Sequence, residues 1–392
     1  MKIVILSNLF PPNSRGGAEE AAKNQADKFS VQGNEVVIIT LSPVNKFCIR
    51  TDFAAFACNS RHSHRVYELR HKNIFNYLNI GEHSAMVRFL WHIIDTFNFR
   101  LANDIKKIIK KEKPDLVIGH NLKGLSLLVP FKIKKLCAQG APASGGKLKI
   151  HQVMHDVSLY TPSGVIEWGK ENGFEHKGFL TKIYRFFTRR LFQYQEKVIF
   201  PSRWLMDFYS QNGFFAKQEK IHQLNEIFFD KIPPTPPFLK GGNINAPTLY
   251  KREAREGFLY VGQLEPHKGI MLLLNAFESL GNVQSLTLHI VGDGSLLPEI
   301  KKRAENNPRI VVHGRVLREK LPEFYGRAKA TIFPSLVYEN APMVIAESLS
   351  CGTPVIVSRL GGAPEMIREG EDGATFTPGD VGDLVNKIKK YL

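Results

Sequence analysis

Lys231-Ile232-Pro233-Pro234-Thr235-Pro236-Pro237-Phe238-Leu239-Lys240-Gly241-Gly242-Asn243-Ile244-Asn245-Ala246-Pro247-Thr248 is the stretch on which the reading of this chain turns. Five of its 18 residues are Pro and two are Gly. It reads as a linker, partly extended by its prolines. On both sides the chain alternates short β-branched runs with helical stretches. Before the linker, strands are expected at Ile3–Ser7, Glu35–Leu41, Asp115–His120, Lys149–His155 and Lys197–Pro201. Helices are expected at Gly17–Gln32 and about Ala85–Lys111, the latter stopping before Pro114. After it, strands are expected at Phe258–Val261, Thr287–Val291, Ile310–Val312, Ala330–Pro334 and Val355–Ser358. Strands apolar on both faces and spaced by helices argue parallel sheets covered on both sides. The expectation is an α/β chain of two halves, residues 1–230 and 249–392, joined by the linker at 231–248. Ligands of such halves usually bind in a cleft outside the carboxyl ends of the strands. A smaller Ala/Ser/Gly-rich stretch, Gln139–Gly146, is expected on the surface of the first half.

Composition excludes several classes. The 392 residues are 43% apolar and 23% charged, an ordinary globular balance. No apolar run approaches the ~20 residues of a membrane-spanning helix. Met1–Leu9 has one Lys and a strand-like run, too short for a signal-peptide core. The four cysteines (Cys48, Cys58, Cys137, Cys351) are scattered without a C-x-x-C pair. Neither a disulfide framework nor a structural zinc site is expected, and a reducing cytoplasm fits. Charge is uneven. Residues 1–225 hold 33 Lys+Arg against 18 Asp+Glu, net +15, and residues 226–392 hold 20 against 19, net +1. A basic first half suggests an anionic partner: nucleic acid, an anionic membrane or a phosphate-bearing acceptor. The plain alternative is solubility charge on helix faces.

Four segments carry candidate chemistry. Ser14-Arg15-Gly16-Gly17-Ala18-Glu19-Glu20 follows the first strand and opens a helix, where backbone N–H groups favour an anion. The alternative is a tight turn with Glu19 and Glu20 complementing the helix dipole. Val261-Gly262-Gln263-Leu264-Glu265-Pro266-His267-Lys268-Gly269-Ile270 places a Lys at a helix start, where it can bind phosphate as a point charge. Alone, it is equally a surface Lys beside a glycine turn. Pro334–Glu347 sets Glu339 in the loop after a strand and Glu347 on the next helix, with seven residues between them. Pro342 suits the first helical turn, and Val344, Ile345 and Leu349 would point inward before Cys351-Gly352 ends the helix. A Glu beside a cleft can accept bonds from sugar hydroxyls, though two solvated acids would look the same. Ser358-Arg359-Leu360-Gly361-Gly362-Ala363-Pro364-Glu365 is a glycine turn after a strand. None of these is the G-x-G-x-x-G of a dinucleotide site, so a dehydrogenase is excluded.

Taken together, the last three segments resemble family 4 of the retaining glycosyltransferases, which have the GT-B fold of two Rossmann-like domains facing each other across a cleft. The Gly–Gln–Leu…Lys–Gly run, the Glu-seven-residues-Glu pair, Cys351-Gly352-Thr353-Pro354-Val355 and Gly361-Gly362 stand in the family's order. Gly16-Gly17 and His155-Asp156 match its first domain. The resemblance covers nearly the whole chain and is densest over 258–370. It implies transfer of a sugar from a nucleotide-sugar donor to a glycan or lipid-linked acceptor, in surface polysaccharide or glycolipid assembly. It implies that Lys268 contacts the donor diphosphate, Glu347 the ribose and Glu339 the hydroxyls of the transferred sugar. Asn340, Ala341, Pro342, Met343 and Val344 would meet sugar or phosphate, largely through backbone amides, as would Gly16 and Gly17. His155 would reach the donor sugar or developing charge. The family usually has Arg where Gln263 stands, so Lys268 would carry more of the neutralisation. The family's final helix crossing back to the first domain is not expected before Leu392.

Stabilising a leaving diphosphate is the main electrostatic task of such a reaction. Fixed cations and helix N-termini can do it, and no D-x-D-like pair stands at a strand end, so neither metal nor cofactor is expected. Asp293, between two glycines, reads as a turn, and Cys58…His62-x-His64 as a polar stretch rather than a metal site. His120, at the end of Asp115–His120, is a second candidate for the same cleft as His155, and a His at a strand end is equally often a structural residue. The alternatives are a sugar-nucleotide epimerase on the same fold, or a non-catalytic basic protein that binds membrane or nucleic acid. No interleaved aromatic-basic strands or recognition helix favour nucleic acid. A peripheral place on an anionic membrane is expected from the charge asymmetry and from Lys182–Phe192, where basic and aromatic residues alternate at helical spacing. The competing expectation is that the Ile and Phe face of that helix packs on the sheet.

Overall fold

The computed structural model describes residues 1–13, 16–44, 46–53, 63–138, 145–223, 255–281 and 286–392. The expected linker at 231–248 lies outside the described residues, as do Ser14, Arg15, Cys58, His62 and residues 139–144. The chain divides into two compact units, one of Met1–Val165 and Asn172–Asp230, the other of Ile166–Glu171 and Lys231–Leu392.

Unit 1 runs β1 (Lys2–Leu6), α1 (Gly17–Val31), β2 (Glu35–Leu41), β3 (Cys48–Phe53), β4 (Ser63–Leu69), α2 (Ala85–Thr96), α3 (Phe99–Glu112), β5 (Leu116–Gly119), α4 (Val129–Ala138), β6 (Lys149–Val153), α5 (Phe174–Lys177), α6 (Phe179–Leu191), β7 (Lys197–Phe200), α7 (Arg203–Gln211) and β8 (Glu219–His222). Its sheet has the order β3-β4-β2-β1-β5-β6-β7-β8. All neighbours are parallel except β3 and β4, an antiparallel pair at one edge. Fully buried Ile3, Ile5, Ile38 and Ile118 centre the core on the middle strands, against Ala21, Ala22 and Ala26 of α1. Strands buried on both faces explain their unbroken apolar runs.

The single helix expected over Ala85–Lys111 is two. The Asn98 side chain accepts from the Leu101 N–H at 3.1 Å and caps a new helix. The Thr96 hydroxyl turns back to the His92 carbonyl. Lys113 then adopts the left-handed conformation before Pro114, ending α3.

Helix α6 corrects the expectation that its Ile and Phe face packs on the sheet. Its buried residues are Thr181, Thr188 and Leu191, while Ile183, Phe186 and Phe187 lie outward. The inner face is fastened by side-chain hydrogen bonds to one loop. The Thr188 hydroxyl donates to the Leu159 carbonyl at 2.7 Å, the Tyr184 hydroxyl to Ser158 at 2.6 Å and the Arg185 guanidinium to Tyr160 at 2.9 Å.

Unit 2 runs β9 (Phe258–Val261), α8 (Ile270–Ser279), β10 (Leu288–Val291), α9 (Leu297–Asn306), β11 (Ile310–Gly314), α10 (Leu321–Arg327), β12 (Ala330–Phe333), α11 (Met343–Ser350), β13 (Val355–Ser358), β14 (Gly373–Phe376) and α12 (Val381–Lys389). Its six strands are parallel in the order β11-β10-β9-β12-β13-β14. Phe258, Leu273, Phe277, Ile290, Phe376 and Leu384 are fully buried at its centre. The chain winds outward from β9 in one direction through β10 and β11, and in the other through β12 to β14. The order therefore reverses between β9 and β12, the place where open α/β sheets bind ligands beyond the strand ends.

Candidate functional site

The loop after β9 leaves the sheet at that reversal. Gly262 starts it, a short 3₁₀ turn forms at Pro266–Lys268, and Gly269 caps α8 at φ +72°. A Cβ at Gly269 would stand 1.9 Å from the Pro334 carbonyl oxygen. Only glycine lets this loop close onto the end of β12. The Leu336 N–H donates to the His267 carbonyl at 2.9 Å and joins the loops after β9 and β12. Lys268 is thereby held beside the loop that carries Glu339, and the two form an ion pair. Burial, with Lys268 next, holds the adjacent His267 below its usual range.

Glu339 is set by two further contacts. The Ser335 hydroxyl lies 3.3 Å from its carboxylate. Beneath it, the Gly361-Gly362 turn folds tightly around its backbone. The Gly362 N–H donates to the Glu339 carbonyl at 2.8 Å, and a Cβ at Gly361, φ +61°, would fall 2.2 Å from that oxygen. The preceding residues are braced by a segment from far upstream. The Trp168 N–H donates to Leu336, the Tyr338 N–H to Ile166, and the Tyr338 hydroxyl to Glu171 at 2.9 Å. Burial and the Glu171 bond push the Tyr338 hydroxyl up to about 12.

After Glu339 come buried Asn340, then Ala341 and Pro342, and α11 starts at Met343. Pro342 stands just before the helix with an extended ψ of 124°, one residue earlier than its expected place in the first turn. Pro342 itself makes no side-chain capping bond there. Met343 and Val344 are half-buried at its rim, while Ile345 and Leu349 anchor the helix in the core, as expected of its apolar face. The α11 N-terminus offers the positive end of the helix dipole next to Lys268 and Glu339.

Glu347 lies one turn further along α11. One oxygen accepts from the Tyr325 hydroxyl of α10 at 3.0 Å, the other from Arg318 at 2.9 Å. Burial, reinforced by the Glu347 charge, drives the Tyr325 hydroxyl well above its ordinary range, so it stays a donor. Lys268, Glu339 and Glu347 are each about a quarter exposed, enough to meet a ligand. Gln263 is exposed, and its carbonyl accepts from the Tyr260 hydroxyl at 2.7 Å.

In unit 1 the glycine pair opens α1 as expected. The Gly16 N–H donates to the Glu19 carboxylate at 2.9 Å, so that amide already serves the helix start. His155 lies two residues beyond β6 and is joined to His120, the residue after β5. His120 Nδ1 is 3.0 Å from His155 Nε2, and its Nε2 is 2.7 Å from Gln25 Oε1. The amide oxygen only accepts, so His120 carries its proton on Nε2 and His155 donates from Nε2. Burial holds His120 well below the usual histidine range and His155 at about 4, so both are neutral at pH 7. His64 is buried, bonded to Asp27 at 2.7 Å and to Ser30 at 3.0 Å.

Sequence reasoning named Lys268, Glu339 and Glu347 but not their supports. Arg318 and Tyr325 lie in segments that read as ordinary surface and helix, and only the fold brings them to Glu347. Segment 166–171 carried no signal beyond a loop.

Residues 245–392 match the family described as glycosyl transferases group 1. Among relatives, an uncharacterised 42.6 kDa protein of the cps region of Klebsiella pneumoniae is 23% identical over 94% of this chain and 88% of its own length. The O-antigen chain mannosyltransferase B of Escherichia coli is 32% identical, over 37% of this chain and 40% of its own length. That alignment thus spans less than half of the enzyme. Among solved structures, Anabaena Alr3699/HepE in complex with UDP superposes with a TM-score of 0.62 at 17% identity, over 100% of this chain and 89% of that one. The likeness to the glycosyl transferases group 1 family thus lies in residues 245–392, and the chain as a whole has the GT-B fold seen in glycosyltransferases.

Proposed function

We propose that this protein transfers a sugar from a nucleotide-sugar donor to a glycan or lipid-linked acceptor, with retention of configuration and without a metal ion. The observation that carries the reading is the grouping at the β9/β12 reversal: Lys268 on Glu339, the α11 N-terminus beside them, and Glu347 one turn on. The diphosphate of the donor takes the place of Glu339 on Lys268. Released, the Glu339 carboxylate accepts bonds from the transferred sugar, while Glu347 accepts from the ribose. As the bond to the anomeric carbon breaks, negative charge grows on the leaving diphosphate. Lys268 and the α11 amides meet that charge with groups fixed in advance. The protein supplies this positive charge itself, which supports the metal-independent reading. Retention rests on the family-4 resemblance of the motifs. His155, neutral and turned by His120, serves the donor sugar as a hydrogen-bonding group rather than a cation.

A surface-polysaccharide acceptor is supported by the Klebsiella and Escherichia relatives. The test is a thermal-shift panel of UDP-, GDP- and ADP-sugars, followed by turnover of whichever donor stabilises the protein. A stabilising donor whose effect vanishes in Lys268→Met supports the reading. A flat response to the whole panel counts against it.

A further inference from the structure

Unit 1 leaves two apolar stripes uncovered. On α2, Met86, Phe89, Leu90 and Ile93 recur at i, i+3, i+4 and i+7 and are 40% to 82% exposed. On α6, Phe179, Leu180, Ile183, Phe186 and Phe187 fall on one side and are 37% to 73% exposed. The helices adjoin, because Phe97, just past α2, meets the Phe187 ring edge-on at 5.1 Å. A helix of a globular protein normally turns such a stripe to the core. Here α6 does the opposite, burying its threonines and fastening itself by hydroxyl and guanidinium bonds. The outward stripe is therefore not surplus from an inward one.

Among the residues of α2 and α6 themselves the exposed charges have one sign. The 13 residues of α6 include Lys182, Arg185, Arg189 and Arg190 and no acid. The one acid of α2, Asp95, is buried. The Arg190 guanidinium lies over the Phe186 ring at 5.0 Å, so cation and ring present together. A two-fold contact with a second copy across α6 would bring together faces whose only charges are cations, Lys182 and Arg190 of one copy meeting those of the other, like against like. An anionic bilayer surface meets both features at once: rings and aliphatic chains enter the headgroup boundary, and cations stay on the phosphates.

We propose that the α2–α6 face of unit 1 docks on an anionic lipid membrane by shallow, in-plane contact. The proposal deepens the glycosyltransferase reading, on which it rests only for placing a lipid-linked acceptor at the same surface. The experiment is co-sedimentation of the full chain with phosphatidylglycerol/phosphatidylcholine vesicles and with phosphatidylcholine alone, at low and high salt. Wild type is expected on the anionic vesicles at low salt, with weakened binding near ~1 M salt, where the Debye length falls to about 3 Å. The pairs Ile183→Ser/Phe186→Ser and Leu90→Ser/Ile93→Ser should each weaken partitioning about tenfold or more. Both pairs are surface changes and should keep wild-type melting and wild-type stabilisation by the donor. No binding to anionic vesicles, undiminished binding by both pairs, or a dimer in sedimentation velocity that both pairs abolish overturns the proposal. Vesicle binding without stabilisation by any nucleotide-sugar overturns the glycosyltransferase reading and leaves the docking face standing.

Discussion

Lys268 and Glu339 predict substitutions with opposite signs. The two are paired, so a diphosphate must take Lys268 from Glu339. A unit charge about 4 Å from a phosphate oxygen contributes roughly 4 kcal/mol at an effective dielectric of 20. Lys268 is 25% exposed, which calls for a discount of about a third. Breaking the ion pair removes about 1 kcal/mol more. The net, about 2 kcal/mol, makes Lys268→Met weaken binding of the sugar-free nucleoside diphosphate roughly 30-fold. Glu339→Gln removes the competitor instead. The same diphosphate should bind equally well or up to about fivefold more tightly, while turnover of the full donor falls. Titration calorimetry with UDP, GDP and ADP, using whichever binds wild type, reads both numbers, and steady-state kinetics reads the second effect. The reasoning fails if Glu339→Gln weakens diphosphate binding as Lys268→Met does, or if Lys268→Met stays within twofold of wild type.

Tyr325→Phe keeps the ring and removes one bond to Glu347, so donor affinity should fall about tenfold with little change in melting; an unchanged affinity would mean that Arg318 alone orients the carboxylate. Gly269→Ala should destabilise unit 2 by more than about 2 kcal/mol, read as a lowered melting temperature, since the Cβ meets the Pro334 carbonyl and φ is positive. Stability should also fall with acid. His92, His151 and His155 are held at about 3, 4 and 4, and His120 well below its usual range, all first by burial, so each binds a proton more readily unfolded. Their contribution is complete above about pH 6.5 and is lost as pH falls through about 4 toward 3. Asp95 acts in the opposite sense, because burial raises it to about 7 and the folded state holds its proton longer. Thermal melts should therefore drop between pH 7 and 5, more steeply in Asp95→Asn, and a flat profile would refute the assignment of neutral histidines.

What could be read in advance followed local rules. Phe258–Val261 and Val355–Ser358 form strands at the expected ends because each is a short apolar run closed by a glycine or polar turn. Lys268, Glu339 and Glu347 were legible because their loops and helix carry motifs. The features missed depend on partners distant in sequence. Strands Cys48–Phe53 and Ser63–Leu69 contain Arg, Asp, His and Glu and owe their form to pairing with each other and with β2. Glu219–His222 and Gly373–Phe376 are four-residue edge strands shaped by β7 and β13. The break at Asn98 hides in an apolar helical period, where a side-chain cap outweighs periodicity. The orientation of α6 could not be read at all, since its period marks an apolar side without saying which side faces water.

Segment 166–171 makes the C-terminal unit discontinuous in the chain. A fragment beginning at residue 231 would contain every motif residue of that unit yet lack Ile166, Trp168 and Glu171. The Leu336 carbonyl and the Tyr338 amide and hydroxyl would then lose the partners that brace the loop before Glu339. During synthesis those six residues leave the ribosome long before the loop that they support. Unit 2 therefore reaches its finished form only when an early piece of chain is threaded against a late one. Cutting the chain before residue 231 would yield a unit whose Glu339 loop is unbraced, whereas supplying residues 166–171 as a separate peptide would restore the pairing in trans.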